Sequence, residues 1–253
     1  MPDLFDIKLV FTQIPDILKA LPVTLEMVAF ALLIGFALGA ILAVIRISKI
    51  PVLSQLAVFF VSLMRGTPII VQLYTSYFGI PILLRYINYY NGTDWNITKI
   101  PGIVFAVIAL GLNSSAFDSE IIRSAILSVD NGQLEAGRSM GMSEWQVFWR
   151  IKFPQAAEVA LLPLGNSVIS LIKGTSLAFS CGVVEMAAEG KILAGRNYRY
   201  FEVYVSLGII YWILTILLER IIKLVEKKIR VPEEAPAMKP AQLEKIKQRL
   251  ELR

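Results

Sequence analysis

Long apolar runs restrict this chain's fold more than any other feature of its sequence. Several of them reach the roughly 20 residues that a helix needs to cross a bilayer. Apolar residues make up 56% of the 253 residues and charged residues only 18%, whereas soluble domains carry roughly 25% charged residues. A strand barrel would instead need ~10-residue segments of strict alternation, which the sequence lacks. We therefore predict an all-α membrane protein.

The apolar pattern predicts one transmembrane domain over 24–222. An amphipathic N-terminal segment (1–23) precedes it, and a charged cytoplasmic tail (223–253) follows it. The five predicted spans lie at about 24–45, 52–77, 103–122, 154–172 and 201–222, with a polar outer loop at 84–100 and a polar segment at about 128–153. The mixed stretch 173–199 is expected to lie partly at membrane depth, where neighbouring helices cover its backbone.

The distribution of lysine and arginine predicts the orientation. With the N-terminus outside, the cytoplasmic segments carry sixteen basic residues and the outer segments seven, and ten of the sixteen lie between Arg220 and Arg253. Cytoplasmic segments are the more basic ones in membrane proteins, so we predict an N-out, C-in protein. The net charge of +5 is concentrated beside a membrane exit, which favours contact with anionic lipid over nucleic acid.

Several kinds of chemistry are excluded by the residues that are missing. The chain has no histidine, and Cys181 is its single cysteine. Intramolecular disulfides, cysteine-rich metal sites and Ser-His-Asp catalysis are thereby ruled out. No G-x-x-x-x-G-K-[ST] phosphate loop occurs either, because Gly190-Lys191 is followed by isoleucine. We expect no catalytic site, no metal and no cofactor in this chain.

A polar, glycine-spaced segment lies between the third and fourth spans. A short helix is predicted over 133–140, with Glu135 in its first turn, Gly141 as a left-handed C-cap, and Pro154 in the first turn of the next helix. The aromatic residues Trp145, Phe148 and Trp149 recur at helical spacing and are expected to pack the segment back onto the spans. An ordinary interfacial amphipathic helix is the alternative interpretation.

Four motifs resemble those of polar amino-acid ABC transporter permeases of the type I importer, MetI-like class. The sequence Glu135-Ala136-Gly137-Arg138-Ser139-Met140-Gly141, followed by Ile151-Lys152-Phe153-Pro154, is similar to their EAA loop. The others are Arg65-Gly66-Thr67-Pro68 with Gln72, the run from Asn113 to Arg123 with Glu120, and Ser170-Leu171-Ile172-Lys173-Gly174-Thr175-Ser176-Leu177. Gly137 stands where the family has alanine, and Gly174 where aspartate is common.

The resemblance, which covers about 24–222, implies the working parts. A separate ABC ATPase subunit that binds ATP and Mg would dock on the EAA loop, whose coupling residues would be Glu135, Ala136, Gly137, Gly141, Ile151 and Pro154. A second permease subunit and an extracytoplasmic solute-binding protein would complete an importer in the bacterial inner membrane. Uptake of an amino-acid substrate would proceed by alternating access. The stretch Lys191–Glu202 is most similar to the L-cystine and sulfur amino-acid branch; the alternative is a glutamine, arginine or histidine type.

Charged and polar residues inside the spans are candidates for the substrate path. An ionised group at the bilayer centre costs ~2.5–3.5 kcal/mol, so Arg65 and Lys173 need partners, for which Asp118 and Glu120 are available. The candidate path residues are Arg65, Thr67, Gln72, Asn113, Glu120, Lys173, Thr175 and Ser176. A purely structural polar network within the helix bundle is the alternative.

Three other classes of protein stay open. A secondary transporter would not need the polar segment and usually shows internal repeats, which are not found here. An intramembrane enzyme would need clustered catalytic residues, and a membrane scaffold would have no substrate path.

Overall fold

The computed structural model describes residues 4–229, and all regular structure within that range is helical. The helices are α1 (Ile7–Thr12), α2 (Ile14–Leu18), α3 (Leu21–Ile47), α4 (Leu53–Gly66), α5 (Ile69–Asn91), α6 (Gly102–Leu127), α7 (Asn131–Ser139), α8 (Glu144–Val147), α9 (Phe153–Gly174), α10 (Met186–Asn197) and α11 (Tyr200–Ile229). Short 3₁₀ turns cover Ile97–Lys99 and Thr175–Cys181, and a π-helical turn covers Phe148–Lys152. The predicted tail beyond 229 lies outside the described residues.

Helices α3 and α6 form the centre of the bundle and run side by side in the same direction. Their contact depends on Gly35 and Gly39. A Cβ atom at Gly35 would lie 2.9 Å from the Ser114 hydroxyl oxygen, and one at Gly39 would lie 3.1 Å from the Ser115 carbonyl oxygen. The G-x-x-x-G spacing is therefore a helix contact face that lets two backbones approach closely.

The helix directions alternate around this pair. Helix α9 runs antiparallel to α6, because Ser167 meets Asp118 and Leu171 packs near Leu110. Helix α11 in turn runs antiparallel to α9, since Ile222 packs over Gly165. The start of α3 and the end of α11 consequently lie at opposite ends of the bundle. Which end faces the cytoplasm stays a prediction from charge.

Four helical stretches of the described chain are long and apolar enough to span a membrane: Leu21–Ile47, Gly102–Leu127, Glu144–Cys181 and Tyr200–Ile229. A fifth span would be the pair α4 and α5, which meet at an angle of 110°. The prediction of one continuous second span at 52–77 was therefore wrong. The count of five stays a prediction that depends on how this bent pair crosses the bilayer.

Pro68 explains the break between α4 and α5. Proline disfavours the helical conformation in the residue before it, and Thr67 accordingly has extended backbone angles, φ −114° and ψ 144°. Helix α5 then continues to Asn91, where Gly92 ends it in the left-handed conformation. The polar outer loop is thus shorter than the predicted 84–100, because the tyrosine-rich sequence before Asn91 stays helical.

One face of the N-terminal segment packs on the bundle, and its amphipathic character stays a prediction. Val10 and Ile17 are fully buried, whereas Ile7 and Phe11 are more than half exposed. The Ser206 hydroxyl of α11 donates to the Val10 carbonyl oxygen over 2.7 Å. A position at the membrane surface stays a prediction for this segment.

The mixed stretch 173–199 folds into the bundle through its 3₁₀ turn and α10. Cys181 and Met186 are buried, and the Met186 amide donates to the Thr24 hydroxyl of α3 over 3.2 Å. The fully buried Glu185 caps α10 by accepting from two backbone amides. This packing is the cover that irregular backbone at membrane depth requires.

Candidate coupling surface and substrate cavity

Helix α7 carries the EAA-like sequence, and Asp130 determines where it begins. The Asp130 side chain accepts a hydrogen bond from the Gly132 amide over 2.8 Å, as an N-cap residue does. The helix therefore starts at Asn131, two residues earlier than predicted. Glu135 is its fifth residue, so the prediction that it occupies the first turn was wrong, because the Asp130 cap takes that place.

Gly141 ends this helix in the left-handed conformation, with φ +81°. The Gly141 amide donates to the Arg138 carbonyl oxygen (2.9 Å) and the Met142 amide donates to the Gly137 carbonyl oxygen (3.2 Å). These bonds satisfy carbonyls that the helix end would otherwise leave open. The predicted left-handed C-cap is confirmed.

The two faces of α7 differ in what they contact. Leu134 and Gly137 are buried, and Leu134 joins an apolar cluster with Ala125, Val129, Val147, Ala156 and Ala160. Glu135 and Ala136 are exposed, and Met140 is 84% exposed. The outer face of α7 is therefore open to contact with a partner. Sequence reasoning missed Met140, because in an apolar chain one methionine carries no distinguishing signal.

An ion pair connects α7 and α8. The guanidinium of Arg138 lies 2.6 Å from the carboxylate of Glu144, and a second bond of 3.1 Å makes the pair bidentate. The Glu144 carboxylate raises the pKa of the Arg138 guanidinium. Both side chains are exposed, and exposed pairs of this kind contribute little to stability, so the apolar contacts of α7 do more to hold it in place.

Replacement of Gly137 should show how tightly α7 packs. A Cβ there would lie 2.6 Å from Cδ1 of Ile151, the mobile end of a side chain, and 3.5 Å from Cγ2 of Val147. Gly137→Ala should change the melting temperature little, because Ile151 can rotate and alanine recovers about 1 kcal/mol of helix propensity. Gly137→Leu should lift α7 and lower the melting temperature by several degrees. Equal melting temperatures for both variants in detergent would contradict this packing.

Ile151 and Pro154 lie in one continuous helical stretch from Glu144 to Gly174. Pro154 has no N–H and therefore cannot donate a helix hydrogen bond. A π turn precedes it, in which the Phe153 amide donates to the Phe148 carbonyl oxygen, and this wider turn accommodates the missing bond. Pro154 occupies the first turn of α9, as predicted, but the helical path continues into α9 from Glu144, so no separate helix starts there. The expectation that Trp145 and Trp149 pack onto the spans was wrong, because they are 70% and 44% exposed.

Thr67, Gln72 and Asn113 form one hydrogen-bonded network at the α4–α5 break. The Gln72 amide donates to the Met64 carbonyl oxygen (2.8 Å) and to the Thr67 hydroxyl (2.8 Å). The Asn113 amide donates to the Gln72 side-chain oxygen over 3.0 Å. These three candidate path residues replace backbone hydrogen bonds that the break removes. Thr67 and Gln72 also border an apolar cavity of about 410 Å³ between α4, α5 and α6.

Gln72→Leu should loosen this break. Leucine keeps the volume but removes the Gln72 bonds to the Met64 and Thr67 oxygens and from the Asn113 amide. Asn113 still donates to the Met64 carbonyl oxygen over 3.3 Å, and we expect a net cost of about 1–3 kcal/mol. We expect a melting temperature several degrees lower and faster proteolysis between α4 and α5. Thr75→Val, on the same cavity wall without a part in this network, is the control. A Gln72→Leu protein as stable as that control would contradict the role.

Glu120 is the centre of an arginine cluster at the α7 end of the bundle. Its carboxylate lies 2.7 Å from Arg46, 3.5 Å from Arg65 and 3.0 Å from Arg123. Arg65 also lies over the Phe117 ring, 5.5 Å from its centroid. Of the two acids considered as partners for Arg65, the structure thus identifies Glu120. The polar-network interpretation accounts for these contacts.

The third group of candidate path residues lies at the far end of α9. Lys173 is exposed and has no ion pair within residues 4–229, so the expected partnership with Asp118 or Glu120 was wrong. Thr175 and Ser176 donate their hydroxyls to the Ile172 and Lys173 carbonyl oxygens over 2.7 Å each. Both hydroxyls therefore serve local backbone caps.

A cavity of about 440 Å³ lies between α6 and α9. Polar side chains from both helices line it beside apolar ones; they are Asn113, Ser114, Asn166, Ser167 and Ser170. Asp118 is buried next to this cavity and accepts hydrogen bonds from two of its lining residues, Ser114 (2.9 Å) and Ser167 (2.6 Å). The four-residue spacing of Ser114 and Asp118 could have predicted the first bond, whereas the second joins two helices 49 residues apart. Of the predicted path residues, only Asn113 lines this cavity.

Comparison with known proteins identifies the family. Residues 35–231 match the sequence profile of the "Binding-protein-dependent transport system inner membrane component" family. The chain is 40% identical over 227 residues to the probable amino-acid permease protein YxeN of Bacillus subtilis (strain 168), covering 90% of this chain and 97% of that one. It is 41% identical over 230 residues to the L-cystine transport system permease protein TcyL of the same organism, covering 91% and 94%.

A solved structure agrees with these relatives. The crystal structure of an amino acid ABC transporter with histidines superimposes with a TM-score of 0.74 at 31% identity, covering 88% of this chain and 99% of that one. The resemblance inferred from the motifs is confirmed, and so is the helical, MetI-like fold. The chain belongs to the family of binding-protein-dependent transport system inner membrane components, and it is a multi-pass protein of the bacterial inner membrane.

Proposed function

We propose that this chain is the permease subunit of an ATP-driven importer for a polar amino acid, with L-cystine or a related sulfur amino acid as the substrate. ATP and Mg bind to a separate ATPase subunit, and that subunit drives alternating access through α7. A second permease subunit and an extracytoplasmic solute-binding protein complete the assembly. Glutamine, arginine or histidine is the alternative substrate class, and a secondary transporter is the weaker alternative function.

The geometry of α7 is the observation that carries this proposal. Its inner face is anchored by Leu134 and Gly137 against the bases of α6 and α9. Its outer face presents Glu135, Ala136 and Met140 to solvent. A helix anchored on one side and exposed on the other can transmit a displacement from a partner to two spans. Gly141, Ile151 and Pro154 contribute by ending α7 and by supporting it on α9.

The cavity between α6 and α9 supports passage of an amino acid. Its hydroxyl and amide groups suit the ammonium and carboxylate of such a substrate, and its volume of about 440 Å³ is within the usual range of small-molecule sites. Asn113 is the candidate path residue best placed to contact substrate. Arg65, beside Phe117 of the same wall, is the second candidate, as a bidentate partner for a carboxylate.

The preference for cystine comes from the similarity to TcyL and from the stretch Lys191–Glu202. A ligand can drive the transport cycle only through different affinities for its two states, so substrate identity has to be measured in the assembled complex. Cystine, glutamine, arginine and histidine are the substrates to compare.

Co-purification with an ATPase is the deciding experiment. The complex should hydrolyse ATP faster when one amino acid and a solute-binding protein are both present, and it should accumulate that amino acid in vesicles. Failure to associate with any ATPase would overturn the proposed function. Transport of glutamine but not cystine would overturn only the substrate, and unchanged transport by Arg65→Ala would remove that residue from the path.

A further inference from the structure

Three aromatic side chains form a ladder on one side of the helical stretch that begins at Glu144. The ring centroids of Trp145 and Trp149 lie 5.4 Å apart, and those of Trp149 and Phe153 lie 4.9 Å apart. Their exposed fractions are 70%, 44% and 46%. The π turn over Phe148–Lys152 uses more residues per turn than an α-helix and so keeps residues four apart in line. We call Trp145, Trp149 and Phe153 the aromatic ladder.

The aromatic ladder points away from α7. Helix α7 packs on Val147 and Ile151, whose side chains meet Gly137. Two residues along an α-helix correspond to a rotation of about 200°, so Trp145 and Trp149 lie nearly opposite those contacts. The outer face of α7, where we propose the ATPase binds, is thus a different surface from the ladder.

The length of α9 places the ladder at a membrane boundary. Helix α9 has 22 residues and is about 33 Å long at 1.5 Å per residue, which by itself matches a hydrocarbon core of ≈ 30 Å. With the hydrocarbon core placed on α9, as in the predicted fourth span at 154–172, the ladder lies at the level of the headgroups. Tryptophan is enriched at that level in membrane proteins. Arg150 and Lys152 lie between Trp149 and Phe153 in the sequence, and their charge is opposite to that of inner-leaflet lipids, although Lys152 also interacts with the Glu144 carboxylate.

We propose that the aromatic ladder is a membrane anchor that inserts into the anionic headgroup layer of the cytoplasmic leaflet and holds the base of α9, with α7, at a fixed depth. The aromatic rings would contact the boundary between headgroups and acyl chains, and Arg150 and Lys152 would contact lipid phosphates. Its side of the membrane follows the predicted orientation, and its depth can be measured whether or not an ATPase is bound. Failure of the anchor and failure of the proposed transport function are therefore distinguishable.

Tryptophan fluorescence in lipid nanodiscs tests the anchor with the full chain. Trp95→Phe and Trp212→Phe leave only the two ladder indoles. Bromine placed near the headgroup end of phosphatidylcholine chains should quench them at least twofold more than bromine at mid-chain, and aqueous iodide should quench little. The matched control retains only Trp212, the thirteenth of the 30 residues of α11 and 67% exposed, which should show the reverse order.

Three results would overturn the proposal. Strong iodide quenching without bromine quenching would show that the ladder faces water. Stronger quenching by mid-chain bromine would put it in the hydrocarbon, and loss of bromine quenching on ATPase addition would assign the ladder to that partner. Replacing half of the brominated phosphatidylcholine by phosphatidylglycerol brominated at the same chain position should increase headgroup-end quenching, and Arg150→Gln with Lys152→Gln should abolish the increase. An absence of this lipid dependence in the unsubstituted chain would overturn the role of the cations.

Discussion

Glu135→Arg is expected to abolish stable association with the ATPase subunit while the permease itself stays folded. Glu135 is exposed on the outer face of α7, and its side chain makes no hydrogen bond or ion pair within residues 4–229, although its charge acts on Arg138. Exposed substitutions usually change stability by less than about 0.5 kcal/mol, so the melting temperature should stay constant. Reversing a charge at an interface costs several kcal/mol, and a loss of about 2 kcal/mol would weaken binding roughly 30-fold. Co-purification and ATPase assays measure the effect.

Glu219→Arg is the matched control for this variant. Glu219 is also exposed, on the last part of α11, and has no part in the proposed interface. Its variant should bind and stimulate the ATPase like the unsubstituted chain. If Glu135→Arg behaves the same way, α7 is not the coupling surface. A Met140→Glu variant would extend the test to the exposed methionine, and should weaken association by a similar factor.

Gly39→Leu should have the largest effect on the membrane fold itself. A Cβ at this position would lie 3.1 Å from the Ser115 carbonyl oxygen and 3.2 Å from the Ser119 amide nitrogen. Both are backbone atoms of α6 and cannot rotate away, so the two central helices would have to separate. Overpacking of this kind typically costs 1–3 kcal/mol and occasionally more. For a chain of this size we expect the melting temperature to fall by about 10 °C.

The same substitution at Gly208 distinguishes the effect of close helix packing from the general effect of replacing a glycine in a helix. Gly208 lies within α11, and a Cβ there would have no neighbour within 4 Å. Gly208→Leu should leave the melting temperature unchanged or raise it slightly, because leucine favours the helix. Thermal melts in detergent and size-exclusion profiles compare the two variants. Equal stability of both would mean that α3 and α6 are not as close as described.

The fold was predictable from the sequence wherever hydropathy alone determines the structure. Apolar length identifies α3, α6, α9 and α11, since a helix is the way for a single segment to satisfy its backbone in lipid. The break at Thr67–Pro68 was missed because a span assigned by hydropathy averages over one proline. Pro68 breaks the helix and the Gln72 side chain bonds across the break to Met64 and Thr67, and hydropathy has no information about the resulting angle of 110°.

The site was predictable only where it is local. The Gly141 cap depends only on residues next to it in the sequence, and its left-handed conformation could be predicted because the residue is glycine. The predicted start of α7 at Gln133 was wrong because Asp130 acts as the N-cap. Its side chain accepts a hydrogen bond from the Gly132 amide, and the helix therefore begins at Asn131. The bonds from Arg46 to Glu120 and from Ser167 to Asp118 join residues of separate helices, so residue spacing along one helix could not reveal them.

The glycine contact between α3 and α6 has a consequence for how force would travel through the protein. Helix α3 contacts the α6 backbone at Gly39 and the Ser114 side chain at Gly35, so a shift of one helix along the other would disturb this packing and the two helices are expected to move together. A displacement of α7 would reach the end of α6 through the cluster that contains Leu134 and Val129. At the other end of the bundle, the Thr24 hydroxyl of α3 meets the start of α10. The pair α3 and α6 thus connects the coupling end of the bundle to its opposite end.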